Sequence, residues 1–592
     1  MRRLLSLAAV AAILLYSCSQ PKQEEKKKTI ALDSLLDAYH EERLKLSPVE
    51  ATAAGDNRYN DQLPNVLTVA YRKQVGDFYT RYKSIISSID KNTLVGEQRI
   101  SYDVLLWECD INLEGLRFRD NLLPINQMFS AHLLMGQLAS GSSIQPFKTV
   151  KDYENWLARV DSYIQWCDTA LVNMQTGAEF KYVLPKVLTK KVVMQLGSLD
   201  HGPAKDHIYY GPVKNMPADF SPEDKERLTR AYEDMITNKV IPAHKRLKDY
   251  IAGPYLSAGR ESSGIDAIPG GKEYYNYLIK LYTTTTTLTA DQIFELGKKE
   301  VDRISKEMEL IKDQVGYKGD MKSFFAHLRT KKELTPYTKP EQVIDNFNAI
   351  HEKMKPQLAK LFDKTPKTQF VVRRTEAFRE KTSAAEYVQG SQDGTRPGIF
   401  YVPIPDVRTY NNISDEDLFL HEAIPGHHYQ VMLQMENTAL PKFRQFVGYS
   451  AYAEGWGLYA ESLGKELGLY TDVYQYFGML SGEMHRAIRL VVDAGMHSQG
   501  WTREQAIQYS IDHEPETEDA IVQEIERYMA VPGQALSYKI GQLKILELRA
   551  KAEKELGDRF KIAEFHNQVL DSGSIPLSVL EEKINNWIIS NL

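Results

Sequence analysis

Helical periodicity dominates this chain and narrows its fold more than any other feature. Leu32, Leu35, Leu36 and Tyr39 fall on one helix face, and Ser221-Pro222 opens another helix through Leu228, Tyr232, Met235 and Ile236. Thr289, with Gln292 three places on, has the pattern of a capping box ahead of Ile293, Leu296, Val301 and Ile304. One region departs from the rule. Gln369 to Arg373 and Gly398 to Ile404 are short β-favouring runs flanked by Pro and Gly, with the turn-rich Gly390-Ser391-Gln392-Asp393-Gly394 between them. The pattern predicts a mainly α-helical protein with a small antiparallel sheet. Gly253-Pro254 through Gly270-Gly271 is rich in turn formers and marks the expected boundary between a helical half, residues 29–260, and a second half, residues 261–592.

The first residues read as an address. Met1-Arg2-Arg3 is a positive start, Leu4 to Leu15 is apolar, and small or polar residues lead to Cys18, the order of a secretory signal over residues 1–17. Leu15-Tyr16-Ser17-Cys18 resembles a bacterial lipobox, in which Cys18 becomes the lipidated first residue of the mature protein; Tyr16 is bulkier than that pattern usually holds. Ser19 to Lys28 is almost wholly polar and reads as a solvated tether. No later run is long and apolar enough to cross a bilayer, so the expected membrane attachment is the lipid alone, in the bacterial envelope and on the periplasmic side of the outer membrane.

A net charge of -6 supplies no basic surplus for phosphates, which excludes nucleic acid as an expected partner. With 43% hydrophobic residues in 592, the chain can bury one large core or two smaller ones. Beyond Cys18 only Cys109 and Cys167 remain, too few for a disulfide framework or a thiolate cage, though able to pair with each other.

The chemistry concentrates between Ser414 and His428. Ser414 can cap a helix and the acids Asp415, Glu416 and Asp417 suit the positive end of its dipole, so His421 and Glu422 should sit on that helix. Neutral imidazoles are good zinc ligands, and a glutamate beside one can take a proton from water on the metal. The spacing, however, departs from His-Glu-x-x-His. Pro425 stands where the second histidine would be, and His427, six residues on, lies about 600° around an ideal helix, on the wrong face. His428 returns to the right face but sits about 10 Å up the axis, too far to share an ion. Pro425-Gly426 offers the solution, because proline deletes a helix bond and glycine accepts unusual angles, so that the helix breaks and turns His427 inward.

A third ligand stands in Tyr452-Ala453-Glu454-Gly455-Trp456, where Glu454 would complete a three-ligand site with one position open. Glu461, two turns on, can orient a ligand from behind, or be an ordinary exposed glutamate. Arg489, Asp493 and His497 recur at a spacing of four, so one face could offer Arg489 and His497 to a substrate carboxylate; an internal ion pair accounts for Arg489 and Asp493 equally.

His421-Glu422-Ala423-Ile424-Pro425-Gly426-His427-His428, with Ala453-Glu454-Gly455-Trp456 downstream, resembles a widespread family of bacterial proteins of unknown function, often lipoproteins (domain of unknown function 885), regarded as zincin-like and distantly similar to the helical gluzincin peptidases. Matching stretches include Asp393 to Tyr401, Gly495 to Trp501 and Tyr528 to Lys539, and the likeness covers roughly Gly270 to the C-terminus. It implies a large helical, gluzincin-like fold with a central cleft and the small sheet beside the metal helix. It also implies a tyrosine or histidine that stabilises the oxyanion, a role Tyr538 fits, and a strand that binds the substrate backbone, which Ile399 to Val402, Tyr401 among them, would supply.

The resulting expectation is a zinc peptidase, with zinc on His421, His427 and Glu454, Glu422 as general base and a peptide as substrate. Two other readings use the same residues: a zinc hydrolase of another amide or ester, and a non-catalytic lipoprotein that binds a peptide in a zincin-like cleft.

Overall fold

The computed structural model describes residues 31–592 other than 142, 377–379 and 381–382, so the signal segment, Cys18 and the tether lie outside the described residues. The chain is mainly helical, as its periodicity requires. Helix α1 (Leu32–Leu46) buries Leu32, Leu35, Leu36 and Tyr39. The long helix α2 (Val150–Glu179) places Trp156 and Tyr163 in a smaller core with Tyr209, Tyr232 and Tyr255. Ser221 caps Pro222–Met235 by accepting from the Asp224 amide at 3.0 Å, and Thr289 and Gln292 form the capping box of α3 (Ala290–Gln314).

Gly253 and Pro254 do not turn the chain. They lie in a helical stretch that widens to π geometry over Ile251–Tyr255, because Leu247, Ile251 and Tyr255 carry a buried face straight through it. The larger core joins early residues such as Tyr39, Tyr82 and Leu105 to Ile279, Trp456, Leu490 and Ile545. Cys109 and Cys167 are buried free thiols in separate cores.

Three strands form the sheet: β1 (Phe370–Arg374), β2 (Glu386–Val388) and β3 (Gly398–Val402), in the order β1-β3-β2. It is mixed rather than antiparallel. The two predicted runs, β1 and β3, pair in parallel from Phe370↔Gly398 to Arg374↔Val402, because β2 reverses the chain between them and pairs antiparallel with β3. The central strand β3 is therefore paired along both edges.

Six helices build the site: α4 (Asp415–Glu422), α5 (His427–Glu436), α6 (Ser450–Ser462), α7 (Val473–Ser498), α8 (Glu518–Ala530) and α9 (Ser537–Leu556). The sheet lies beside α4 and α5, where Phe370 meets Phe419 at 6.0 Å and His428 at 5.0 Å between ring centres. Helices α6 and α9 touch backbone to backbone: a Cβ on Gly455 would lie 2.5 Å from Gly541 Cα, and one on Gly541 would lie 2.7 Å from Gly455 Cα. No described helix is long and apolar enough to cross a membrane.

Candidate metal centre

Helix α4 begins at Ser414, but the serine side chain makes no capping bond. Gln475 accepts from the Glu416 amide instead, at 3.1 Å. The three acids are buried rather than solvated. Asp415 accepts from Asn346 and Tyr410 at 2.7 and 2.8 Å, and Glu416 pairs with Lys353 at 2.9 Å. Asp417 faces inward, four residues before His421 and so on the same side of the helix.

The helix ends at Glu422, followed by a cis Ile424–Pro425 bond and by Gly426, where α5 begins. The indole of Trp456 donates to the Pro425 carbonyl at 2.7 Å, tying the break to α6. Gly426 also supplies space: a Cβ there would run into the Leu420 and His421 carbonyls.

The break brings the His427 ring to 4.6 Å from the His421 ring, edge to face. Glu454 Oε2 lies 3.5 Å from His421 Nε2 and 3.6 Å from His427 Nε2, and one donor atom from each residue falls within 4.8 Å of the others. Burial raises the Glu454 carboxyl, but hydrogen bonds to His421 and His427 outweigh it and hold the group well below the usual carboxylate range. His421 Nδ1 meets Glu461 Oε1 at 2.6 Å; burial alone would lower the pKa of this imidazole, but its hydrogen bonds to Glu454 and Glu461 hold it well above the usual value. Glu461 is not an exposed helix glutamate: it is 1% accessible, and Tyr470 donates to its backbone carbonyl at 3.0 Å. Gly457 makes room for the His421 ring, since a Cβ there would lie 2.6 Å from it.

Glu422 stands at the end of α4 with no hydrogen bond from the described residues; burial pushes its carboxyl up, and the His427 charge draws it back only in part. His428 points elsewhere. Its Nδ1 meets the Tyr387 hydroxyl of β2 at 2.9 Å, and burial lowers its pKa to about 4.

The remaining expected residues separate into two groups. Arg489 packs its guanidinium over the Tyr538 ring at 4.5 Å, and Tyr538 begins the α9 turn that leads to Gly541, opposite Gly455. His497 is fully buried, with Nδ1 accepting from the Ile265 amide and Nε2 donating to the Tyr528 carbonyl, so neither nitrogen is left for a substrate. Asp493 does not pair with Arg489: it accepts from Tyr275 at 2.6 Å and from the Gly533 amide at 3.1 Å. Tyr401 lies in β3, whose paired edges leave that strand no free run of backbone for a substrate, contrary to expectation.

Asp417, Tyr470 and Arg486, the last meeting Asp417 over Gly482, are the members of this site that sequence reasoning missed. The spacing of four between Asp417 and His421 could have marked the first; Tyr470 comes from a separate turn, and no local pattern announces it.

No curated protein matches this chain. Among solved structures, a protein from Colwellia psychrerythraea described as a lipoprotein is 28% identical over 94% of this chain and 99% of its own, with a TM-score of 0.85. One of unknown function from Shewanella oneidensis, likewise described as a lipoprotein, is 19% identical over 93% and 99%, with a TM-score of 0.75, and so shares the fold. The profile of the bacterial proteins of unknown function DUF885 matches residues 48–584, nearly the whole described chain, and the protein belongs to that family.

Proposed function

We propose that this protein is a zinc-dependent peptidase. The observation that carries the reading is the convergence of His421, His427 and Glu454 on one point, with Glu422 adjacent to His421. Donors about 2.0–2.2 Å from a tetrahedral zinc ion stand roughly 3.3 Å apart. The separations of 3.5 and 3.6 Å suit that geometry, and two imidazoles with one carboxylate leave a position open. Bound zinc supplies Lewis acidity to a scissile carbonyl and to the attacking water. Glu422 takes the proton from that water and passes it to the leaving amine, a role its raised affinity for protons suits. The Tyr538 hydroxyl, uncommitted among the described residues, donates to the carbonyl oxygen as charge develops there.

Cys18 carries the lipid that holds the protein to the bacterial envelope, on the periplasmic side of the outer membrane. The sequence Leu15-Tyr16-Ser17-Cys18 supports this, as does the description of both similar structures as lipoproteins. Elemental analysis of protein purified without added metal, beside digestion of a peptide library, tests the whole reading. Near-stoichiometric zinc with chelator-sensitive cleavage is the expected result. Protein that neither retains nor takes up zinc, or zinc-loaded protein that cleaves no peptide, overturns it.

A further inference from the structure

Two arginines on one face of α7 hold donors that no described residue accepts. Arg486 Nε and Arg489 Nη1 are both buried without a hydrogen-bond partner among the described residues. The other donors of Arg489 are committed: Nε to the Tyr528 hydroxyl at 2.9 Å, and Nη2 to Glu524 at 3.0 Å and His485 at 3.1 Å. His485 is anchored in turn by Glu514 at 2.5 Å, and Arg527 joins Glu524 at 2.9 Å. With the Tyr538 ring against its flat side, the Arg489 guanidinium is fixed in plane and direction, and Nη1 alone remains open.

The position of this pair gives it meaning. Residues three apart on a helix are neighbours on one face, about 5–6 Å between Cβ atoms. Arg486 and Asp417 meet over Gly482, where a Cβ would lie 3.2 Å from Arg486 Nη1 and 2.8 Å from Asp417 Oδ2, and Asp417 stands one turn before His421 on α4, so Arg489 lies one turn further along α7 from the metal centre. A buried guanidinium nitrogen without an acceptor is costly and rare, and a charged N–H fixed in direction suits a carboxylate oxygen.

We infer that Arg489, with Arg486 beside it, binds a carboxylate of the substrate and thereby selects the bond that reaches the metal centre. The inference rests on the peptidase reading for the identity of the substrate. That carboxylate comes from a free peptide C-terminus or from an Asp or Glu side chain.

The test uses zinc-loaded full-length protein and three sets of hexapeptides: free C-termini, the same sequences amidated, and amidated sequences with one Asp or Glu. Wild type should show a kcat/KM about tenfold or more higher for peptides with a carboxylate, the scale of one charge-assisted hydrogen bond, carried mainly by KM. In Arg489→Gln that ratio should fall toward one, and Arg489→Lys, which keeps the charge without the fixed direction, should restore part of it. Whichever carboxylate-bearing set carries the preference identifies the source. Equal cleavage of all sets, or a preference that survives in Arg489→Gln, overturns the inference. If wild type cleaves nothing, the peptidase reading has failed by itself. Calorimetric binding of the same peptides then decides: carboxylate-dependent binding lost in Arg489→Gln upholds the inference, and indifference to the carboxylate ends it.

Discussion

His421 Nδ1 lies 2.6 Å from the Glu461 carboxylate, and Glu461 stands two turns beyond Glu454 on α6. One helix thus supplies both a donor of the metal centre and the group that orients another donor. We predict that Glu461→Gln weakens zinc binding by about 10- to 100-fold, the usual cost of losing such a partner. Competition against a chelating dye measures this; an unchanged affinity would show that the bond orients nothing of consequence.

The adjacent histidines should behave differently. His427→Ala is expected to lose most of the bound zinc, since its ring faces His421 and Glu454. His428→Ala should keep the zinc and lose stability, because that ring is packed against Phe370 and bonded to Tyr387. Metal content and thermal unfolding of the two variants decide it, and the reverse pattern of zinc loss defeats the assignment.

Glu422→Gln is predicted to retain zinc and fold yet lose at least about a hundredfold in turnover, the low end of what a placed general base contributes. Zinc content and kcat are measured on one preparation. Loss of zinc together with activity would make Glu422 a ligand, and full activity would remove it from the chemistry.

Acid should destabilise the smaller core for a separate reason. Burial lowers the pKa of His132 and of His244 from 6.5 to about 4, so the folded state holds both neutral where the unfolded chain would charge them. Their contribution is complete above pH 6.5 and declines as the pH falls toward 4, by on the order of 3 kcal/mol for each. Melting temperatures of chelator-treated protein, which excludes zinc loss, should fall between pH 7 and 5 and recover partly in His132→Gln. A flat profile contradicts the prediction.

The helices and the spacing of the donors were legible because both are written in local periodicity: Leu32 to Tyr39, the Thr289 box and the Pro425-Gly426 break each occupy a few residues. Features fixed by distant partners were not. The direction of β1 against β3 depends on a three-residue strand between them, and the Ser414 cap gives way to Gln475, which belongs to a later helix. Pro254 stays within a helix because the buried face of Leu247, Ile251 and Tyr255 outweighs the turn-forming composition around it. His497 looked available on its helix, yet Ile265 and Tyr528 engage both ring nitrogens from far away in sequence.

The Gly455–Gly541 approach ties the metal centre to the order in which the chain is made. Helix α6 rests against α9, which follows it in the chain only after α7 and α8. A polypeptide interrupted before Ser537 would carry His421, Glu422, His427 and Glu454 intact, without the surface on which the Glu454 helix is seated. Assembly of the centre thereby waits for a helix that begins well after Glu454 in the chain, so that a polypeptide stopped short of Ser537 cannot complete its own site.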